Sequence, residues 1–247
     1  MHISLSAEKI FTLLGVFPVT NTLLMAWLAM AVLIGVAFFM YRSLALVPNS
    51  FLQNAVEAVV DGAVSFVEDV VGSRTQAERF FPIVGTIFFF VLLSNWMGIL
   101  PLVGSVGVYE AGEHGATLIP FFRSVNSDIN MTLALAVSSV IIVHVVGVAT
   151  IGLFKHAGKY LNFKNPILFF VGLLELVGEV AKVVSFSFRL FGNIFAGEVL
   201  LTVIAFLVPY LAPLPFLGLE LFVGLMQALV FAMLTLVFLK TATEAHH

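Results

Sequence analysis

The chain has 247 residues, of which 61% are hydrophobic and only 10% charged, with 26 phenylalanines and no cysteine. Soluble domains carry about 25% charged residues, so this composition belongs to a chain that lives in lipid. A formal net charge of −3 excludes an electrostatic nucleic-acid binder, and the lack of cysteine excludes disulfides and thiolate metal sites.

In chain order, the first segment, "MHISLSAEKIFTLLGVFPVT", lacks a basic region followed by an A-x-A cleavage site and reads as mature sequence. Crossing a hydrocarbon core of about 30 Å takes roughly 20 apolar residues, and Thr22–Tyr41 is the first run to meet that length. Next, "NSFLQNAVEAVVDGAVSFVEDVVGSRTQAERF" repeats apolar pairs at 51/52, 55/56, 59/60, 63/64, 66/67 and 70/71, which is a helical period. Glu57, Asp61, Glu68 and Asp69 interrupt that run, so 50–72 is expected to lie on the membrane surface as an amphipathic helix. Its polar face is acidic where lipid-binding helices are usually basic, which leaves room for a protein partner.

Further spans are expected at Phe80–Leu100 and Ile129–Phe154, joined by a loop that carries Glu110, Glu113 and Asp128. Asn130-Met131-Thr132, at the mouth of the second of these spans, matches a glycosylation acceptor by chance. The apolar region 165–208 is too long for one upright crossing: as a single helix it extends about 65 Å, twice the bilayer core. Either it breaks into two spans or it crosses steeply tilted. No polar connector separates possible halves, and Gly192 and Gly197 alone make no loop, so one tilted helix is the favoured reading. Leu217–Leu239 supplies the last span, and the terminal "EAHH" carries no argument. The expected fold is therefore an all-α integral membrane protein, a single domain over 1–247. It has five membrane-crossing helices and one amphipathic surface helix, and the last two crossings form a long tilted hairpin.

With five crossings, Arg42, Arg74, Arg79, Lys155, Lys159, Lys164 and Lys240 fall on one side, against Lys9 and Arg123 on the other. The positive-inside rule then puts the C-terminus in the cytoplasm and the N-terminus outside. No phosphate-binding loop and no H-E-x-x-H occurs, and the six histidines are scattered. Chemistry on a nucleotide or a metal is not expected, and no cofactor is implied.

What remains is a set of charges in the long apolar segment. At 100° per residue, Glu175, Glu179, Lys182, Arg189 and Asn193 fall within about 80° of one another, while Glu198 points about 180° from Arg189. The stripe and Glu198 cannot line one narrow pathway, which suggests two separate aqueous routes with the arginine between them. On the last helix Glu220 and Gln227 share a face. Glu198 and Glu220 fall at comparable depth, where two carboxyl groups in low dielectric tend to share one proton. Arg189 stays charged under any plausible condition and cannot relay a proton; it can hold an opposing carboxylate ionised and block leakage. Placing it in the membrane costs several kcal/mol, by the scale of about 3 for an intramembrane arginine. Blander readings stand beside these. Lys182 with Glu179 or Glu175 can be a structural ion pair, Gln227 can hydrogen-bond a neighbouring helix, and Ser185, Ser187 and Asn193 can simply solvate the site.

At these residues the chain resembles a known family. "SFRLFGNIFAGEVLL" with "GLMQALVFAMLTLVFL" is similar to subunit a of the F-type ATP synthase, and the likeness continues through "SNWMGILPLVGS" and "SVNSDINMTLALA". The resemblance implies that Arg189 is the stator arginine facing the carboxylate of a rotating c-subunit ring. Asn193 and Gln227 would flank it, Glu198 would be the acid of the outer half-channel, and Glu220 would stand where many members have histidine. Glu175, Lys182 and Ser185 would line the cytoplasmic half-channel, with Glu179 in the same stripe. It further implies b-type peripheral stalk subunits and the rest of the ATP synthase as partners, and a bacterial inner membrane as location. A secondary transporter, a self-contained channel or a membrane scaffold are the other classes open to the composition. Transporters often show repeated halves, and this sequence has no internal repeat.

Overall fold

The computed structural model describes residues 7–13, 17–43, 51–100, 103–112, 115–160 and 166–244. Lys164, Glu113 and the terminal Ala245-His246-His247 lie outside the described residues. In chain order the elements are β1 (Lys9–Leu13), β2 (Phe17–Thr20), α1 (Asn21–Ser43), α2 (Phe51–Val71) and α3 (Arg74–Gly98). There follow β3 (Gly107–Gly112), β4 (Gly115–Pro120), a 3-10 turn (Val125–Ser127), α4 (Ile129–Ile151), α5 (Leu153–Tyr160), α6 (Pro166–Leu207) and α7 (Pro213–Thr243). Among the described residues five helices, α1, α3, α4, α6 and α7, are long and apolar enough to cross a membrane.

Two features differ from the sequence expectation. Each of β1–β2 and β3–β4 is a two-stranded antiparallel hairpin, and both sit at the end of the bundle reached by the start of α1, the start of α4 and the end of α3. This is the hairpin end; the other carries α2 and α5. The third span also stops short of Phe154. Gly152 takes φ 87°, a left-handed conformation that glycine adopts without penalty and that commonly ends helices. Its N–H closes on the Val148 carbonyl at 2.9 Å, its own carbonyl accepts from the His156 N–H at 3.0 Å, and the chain restarts as α5.

α6 runs unbroken over 42 residues, about 63 Å at 1.5 Å per residue. Twice the hydrocarbon thickness fits the membrane only at a steep inclination. Apolar packing joins it to the bundle in the middle: Phe186, Leu190 and Ile194 are buried against Ile87 and Val91 of α3, Ala136 of α4, and Ala228 and Phe231 of α7. The spacing of four puts those three α6 residues on one face. Nearer α2, Val64, Val67 and Val71 bury against Phe80 and Val84 of α3 and Leu236 and Leu239 of α7. Part of the apolar face of α2 is thus covered by protein. Arg74 at the start of α3 reaches Asp61 at 2.6 Å, Glu78 at 3.0 Å and Glu68 at 3.5 Å, and Lys240 donates to the Val70 carbonyl at 3.0 Å. At the hairpin end, Met25, Ala26 and Ala29 of α1 pack on Met97 and Val125. There Thr22 donates to Asp128 at 3.0 Å while Asp128 caps α4 through the Asn130 N–H at 3.0 Å.

Only 11% of the apolar stretch of α6 is buried within the chain, against 39% for α3. α6 therefore offers most of its surface outward, and the polar residues of interest lie along it.

Candidate functional site

Ser185, Arg189 and Asn193 follow one another at the helical spacing of four and are all exposed. They lie one position off the buried row Phe186, Leu190, Ile194, hence about 100° around the helix. The Arg189 guanidinium donates to Ser185 Oγ at 3.3 Å. Among the described residues no carboxylate comes within ion-pairing distance of it. Its neighbours Val184 and Phe188 are exposed apolar side chains. A methyl added at Gly178 or Gly192 meets nothing within 4 Å, so this face of α6 is bare enough for another helix to approach closely. On the inner side, Ser187 Oγ and Thr132 Oγ1 form a buried hydrogen bond of 3.1 Å to α4.

Toward the hairpin end, Glu198 and Glu220 come together. A Cβ built on Gly197 would lie 3.1 Å from Glu220 Oε1, so the α7 carboxyl group rests on the glycine beside Glu198. Arg123 is 7% exposed; its Nε donates to Ser127 Oγ at 3.2 Å and lies 4.0 Å from Glu198 Oε1. Glu198 Oε2 and Glu220 Oε2 are buried with no hydrogen-bond partner among the described residues. Below them on α7, the Gly224 carbonyl accepts from Asn95 at 2.9 Å, and Asn95 accepts from Asn126 at 2.7 Å. Gln227 follows one turn later, half-buried.

Toward the α2 end, Glu179 is enclosed by donors. Lys182 Nζ donates to its Oε1 at 2.7 Å and Tyr160 Oη at 3.1 Å, and His144 Nε2 lies 3.5 Å from Oε2. The other nitrogen of His144 is 3.1 Å from His156 Nε2. Lys182 also sits over the Phe238 ring, 4.5 Å from its centroid. Burial, and the Glu179 carboxylate after it, push the Tyr160 phenol well above its ordinary range. Tyr160 is consequently a fixed O–H donor at any working pH.

The single stripe expected from the wheel divides. Glu179 and Lys182 pair with each other and turn toward α4 and α5, which is the structural ion pair that the spacing allowed. Glu175, Ser185, Arg189 and Asn193 stay outward. Glu198 and Glu220 meet, as their common depth suggested, and Gln227 makes no hydrogen bond among the described residues. Sequence reasoning missed Arg123 beside Glu198, the Asn95–Asn126 bridge, and His144, His156 and Tyr160. A signal existed for His144, an ionisable residue inside the apolar run 129–154, where such residues are rare.

Residues 23–240 match the family described as ATP synthase A chain. Among curated proteins, the ATP synthase subunit a of Gloeobacter violaceus is 37% identical over 228 residues, covering 92% of this chain and 85% of that protein. The ATP synthase subunit a of Syntrophobacter fumaroxidans is 33% identical over 226 residues, covering 90% and 83%. That of Campylobacter jejuni is 36% identical over 211 residues, covering 84% and 83%.

Proposed function

The chain belongs to the ATP synthase A chain family, and from that premise we propose that it is the proton-translocating stator of the membrane sector, with two offset aqueous half-channels separated by Arg189. The observation that carries this reading is the exposed Arg189, without a carboxylate among the described residues, on an uncovered apolar face of a membrane helix. A permanent cation there costs about 3 kcal/mol or more at the helix centre unless a partner or water compensates. No described residue of this chain brings a carboxylate to it, so a group on another chain is the fitting partner, and the bare glycine positions beside it suit a packed helix. A ring of c subunits, each with one membrane carboxylate, meets that requirement; the b-type peripheral stalk would hold this chain against the ring's drag.

Protons would then enter from the hairpin end, past Glu220 and Glu198, and neutralise a ring carboxylate that has just left Arg189. The neutral carboxyl group tolerates lipid, so the ring turns. After nearly a full turn it meets the second route, along Glu175, Glu179, Lys182 and Ser185, and releases its proton to the α2 end. Asn193 and Gln227 flank the arginine on the outer side. Arg189 prevents a direct passage between the routes; each charge crossing 100 mV carries about 2.3 kcal/mol, and a short circuit would dissipate all of it. By the positive-inside rule the hairpin end lies outside and the α2 end in the cytoplasm of a bacterium. This chain makes and breaks no covalent bond other than those to the moving proton, and it acts as one membrane domain.

The test uses the assembled complex in inverted membrane vesicles. Arg189→Ala is expected to lower ATP-driven acidification by more than about 100-fold, the scale at which a positioned charge in a buried site acts. Arg189→Lys should not restore it, because a buried lysine can deprotonate and lacks the planar fork. Wild-type pumping by either variant defeats the stator reading.

A further inference from the structure

The histidines of the α2 end have no place in the scheme above, yet their geometry is specific. His144 comes from α4, His156 from α5, and Glu179 from α6, and the three are aligned. Glu179 Oε2 lies 3.5 Å from His144 Nε2, and His144 Nδ1 lies 3.1 Å from His156 Nε2. Two glycines make the alignment possible. Gly152 turns the chain so that α5 folds back under α4, and Gly147 leaves space for the second imidazole. A Cβ at 147 would come within 2.8 Å of His156 Cε1, closer than real contacts allow. His156 is 6% exposed, whereas the His144 side chain is 32% exposed and Glu179 only 16%. His144, the most exposed of the three, therefore joins the enclosed carboxylate to the bundle surface, and His156 backs it from inside.

We infer that His144 and His156 form a proton-collecting pair that exchanges protons with the water at the α2 end and passes them to and from Glu179. The inference rests on the half-channel reading and deepens it by naming the groups at the mouth of the second route. Imidazole is the side chain whose ordinary pKa, about 6.5, lies closest to neutral pH. Two imidazoles with facing nitrogens hold one proton between them. In the loading direction His144 Nε2 takes a proton from a hydronium ion, whose O–H bond breaks as the N–H bond forms, while His144 Nδ1–H donates to His156 Nε2. The His144 Nε2–H then gives its proton to Glu179 Oε2. One N–H bond breaks, one O–H bond forms, and the imidazole returns to neutral. Release runs the same steps backward, with no electron transferred at any of them.

The charges facing the pair suit this use. From α6, Glu179 faces His144, and Lys182 is bonded to the same carboxylate. Glu175 lies on the same helix one turn earlier, on the exposed side. From α5, Tyr160 holds Glu179 in place as a neutral donor, with both imidazole rings packed edge-on near it. α7 contributes the Ala242 carbonyl beside Gly147, and the charged residue of that turn, Lys240, is engaged with the Val70 carbonyl of α2.

The experiment compares the whole complex carrying His144→Gln, or His144→Gln with His156→Gln, with wild type in inverted vesicles, where the α2 end faces the medium. Glutamine keeps a hydrogen bond but cannot carry a proton near neutral pH. ATP-driven acidification is expected to fall by about tenfold at pH near 7.5, less than the roughly 100-fold lower range for a positioned proton carrier because Glu179 keeps some exposure of its own. It should fall by less near pH 6, where protons in the medium are more abundant. Millimolar imidazole in the medium should restore the lost rate, read as ATP hydrolysis coupled to pumping because a permeant base discharges the pH gradient itself. The single variant, at a partly exposed position, guards against a folding defect in the double one. A wild-type rate and pH profile in both variants overturns the relay, and so does a pH-independent loss that imidazole does not rescue. Arg189→Ala measured in parallel separates the two ideas: normal pumping by that variant defeats the stator reading itself, whereas its failure beside a normal histidine variant defeats only the relay.

Discussion

The two polar clusters along α6 are built on opposite principles. At the α2 end Glu179 is wired: a lysine, a phenol and an imidazole surround it. At the hairpin end Glu198 and Glu220 share a site in which one oxygen of each is buried without a donor among the described residues. Arg123, the cation beside them among the described residues, stands off at 4.0 Å and is already bonded to Ser127. A carboxylate held by several donors is fixed in place, and in the relay inferred above it takes and gives its proton through the neighbouring His144. A carboxylate with an unpartnered oxygen is open to a proton directly. The difference teaches how each end can handle protons with the same residue type: through a chain of carriers at one end, and by direct protonation of a carboxyl pair at the other.

The sharpest way to break that contrast is to remove the open pair. Glu198→Gln with Glu220→Gln keeps size and polarity but abolishes the acceptors, so ATP-driven acidification of vesicles should drop by about 100-fold, the lower range for loss of a positioned proton carrier. Assembly of the complex should be retained, because glutamine keeps the size of each side chain and the one ion pair lost, Arg123 with Glu198, is long at 4.0 Å. Unchanged pumping would remove the outer pair from the pathway. A milder intrusion acts through Gly197. An alanine there places its methyl carbon 3.1 Å from Glu220 Oε1, tight enough that the flexible glutamate must give by a few tenths of an ångström. Proton loading should slow by a few-fold, on the order of the loss that follows from a small misplacement of a reacting group. A rate equal to wild type would mean that the spacing of the two carboxyl groups is not critical.

The sequence made the hairpin-end cluster easier to read than the α2-end cluster, and the reason is topological. Glu198 and Glu220 belong to consecutive long helices, so helical phase and depth alone bring them together. The unbroken α6 was legible for a similar reason: the region 165–208 offers no polar connector in which to turn. By contrast, the Glu179 cluster gathers residues from α4, α5 and α6, and depends on the left-handed Gly152 that folds α5 back. Nothing in an apolar run marks one glycine as the one that takes positive φ, so the histidines looked scattered. The two short hairpins were invisible as well, because their strands hold few residues and show no sustained alternation. Arg123 was counted only for its side of the membrane, since a loop residue carries no phase from which its contact with Glu198 could be deduced.

The smallest effect comes from trimming one wire of the α2-end cluster. Tyr160→Phe deletes the 3.1 Å hydrogen bond to Glu179 and nothing else of the ring. A bond to a charged acceptor contributes roughly 1.5–3 kcal/mol when fully buried; this phenol is only part-buried, so about 1 kcal/mol is the better expectation. The sign of its pH dependence follows from the raised phenol. A group whose folded-state pKa lies above its unfolded value of about 10 stabilises fully below that value and loses its contribution as pH climbs through the folded one. The stability difference between wild type and Tyr160→Phe, read from thermal inactivation of the complex, should therefore be flat from about pH 6 to 9 and shrink only in stronger alkali. A difference that collapsed near pH 7 instead would mean that a group other than the phenol, the neighbouring imidazole first among them, sets the charge on Glu179.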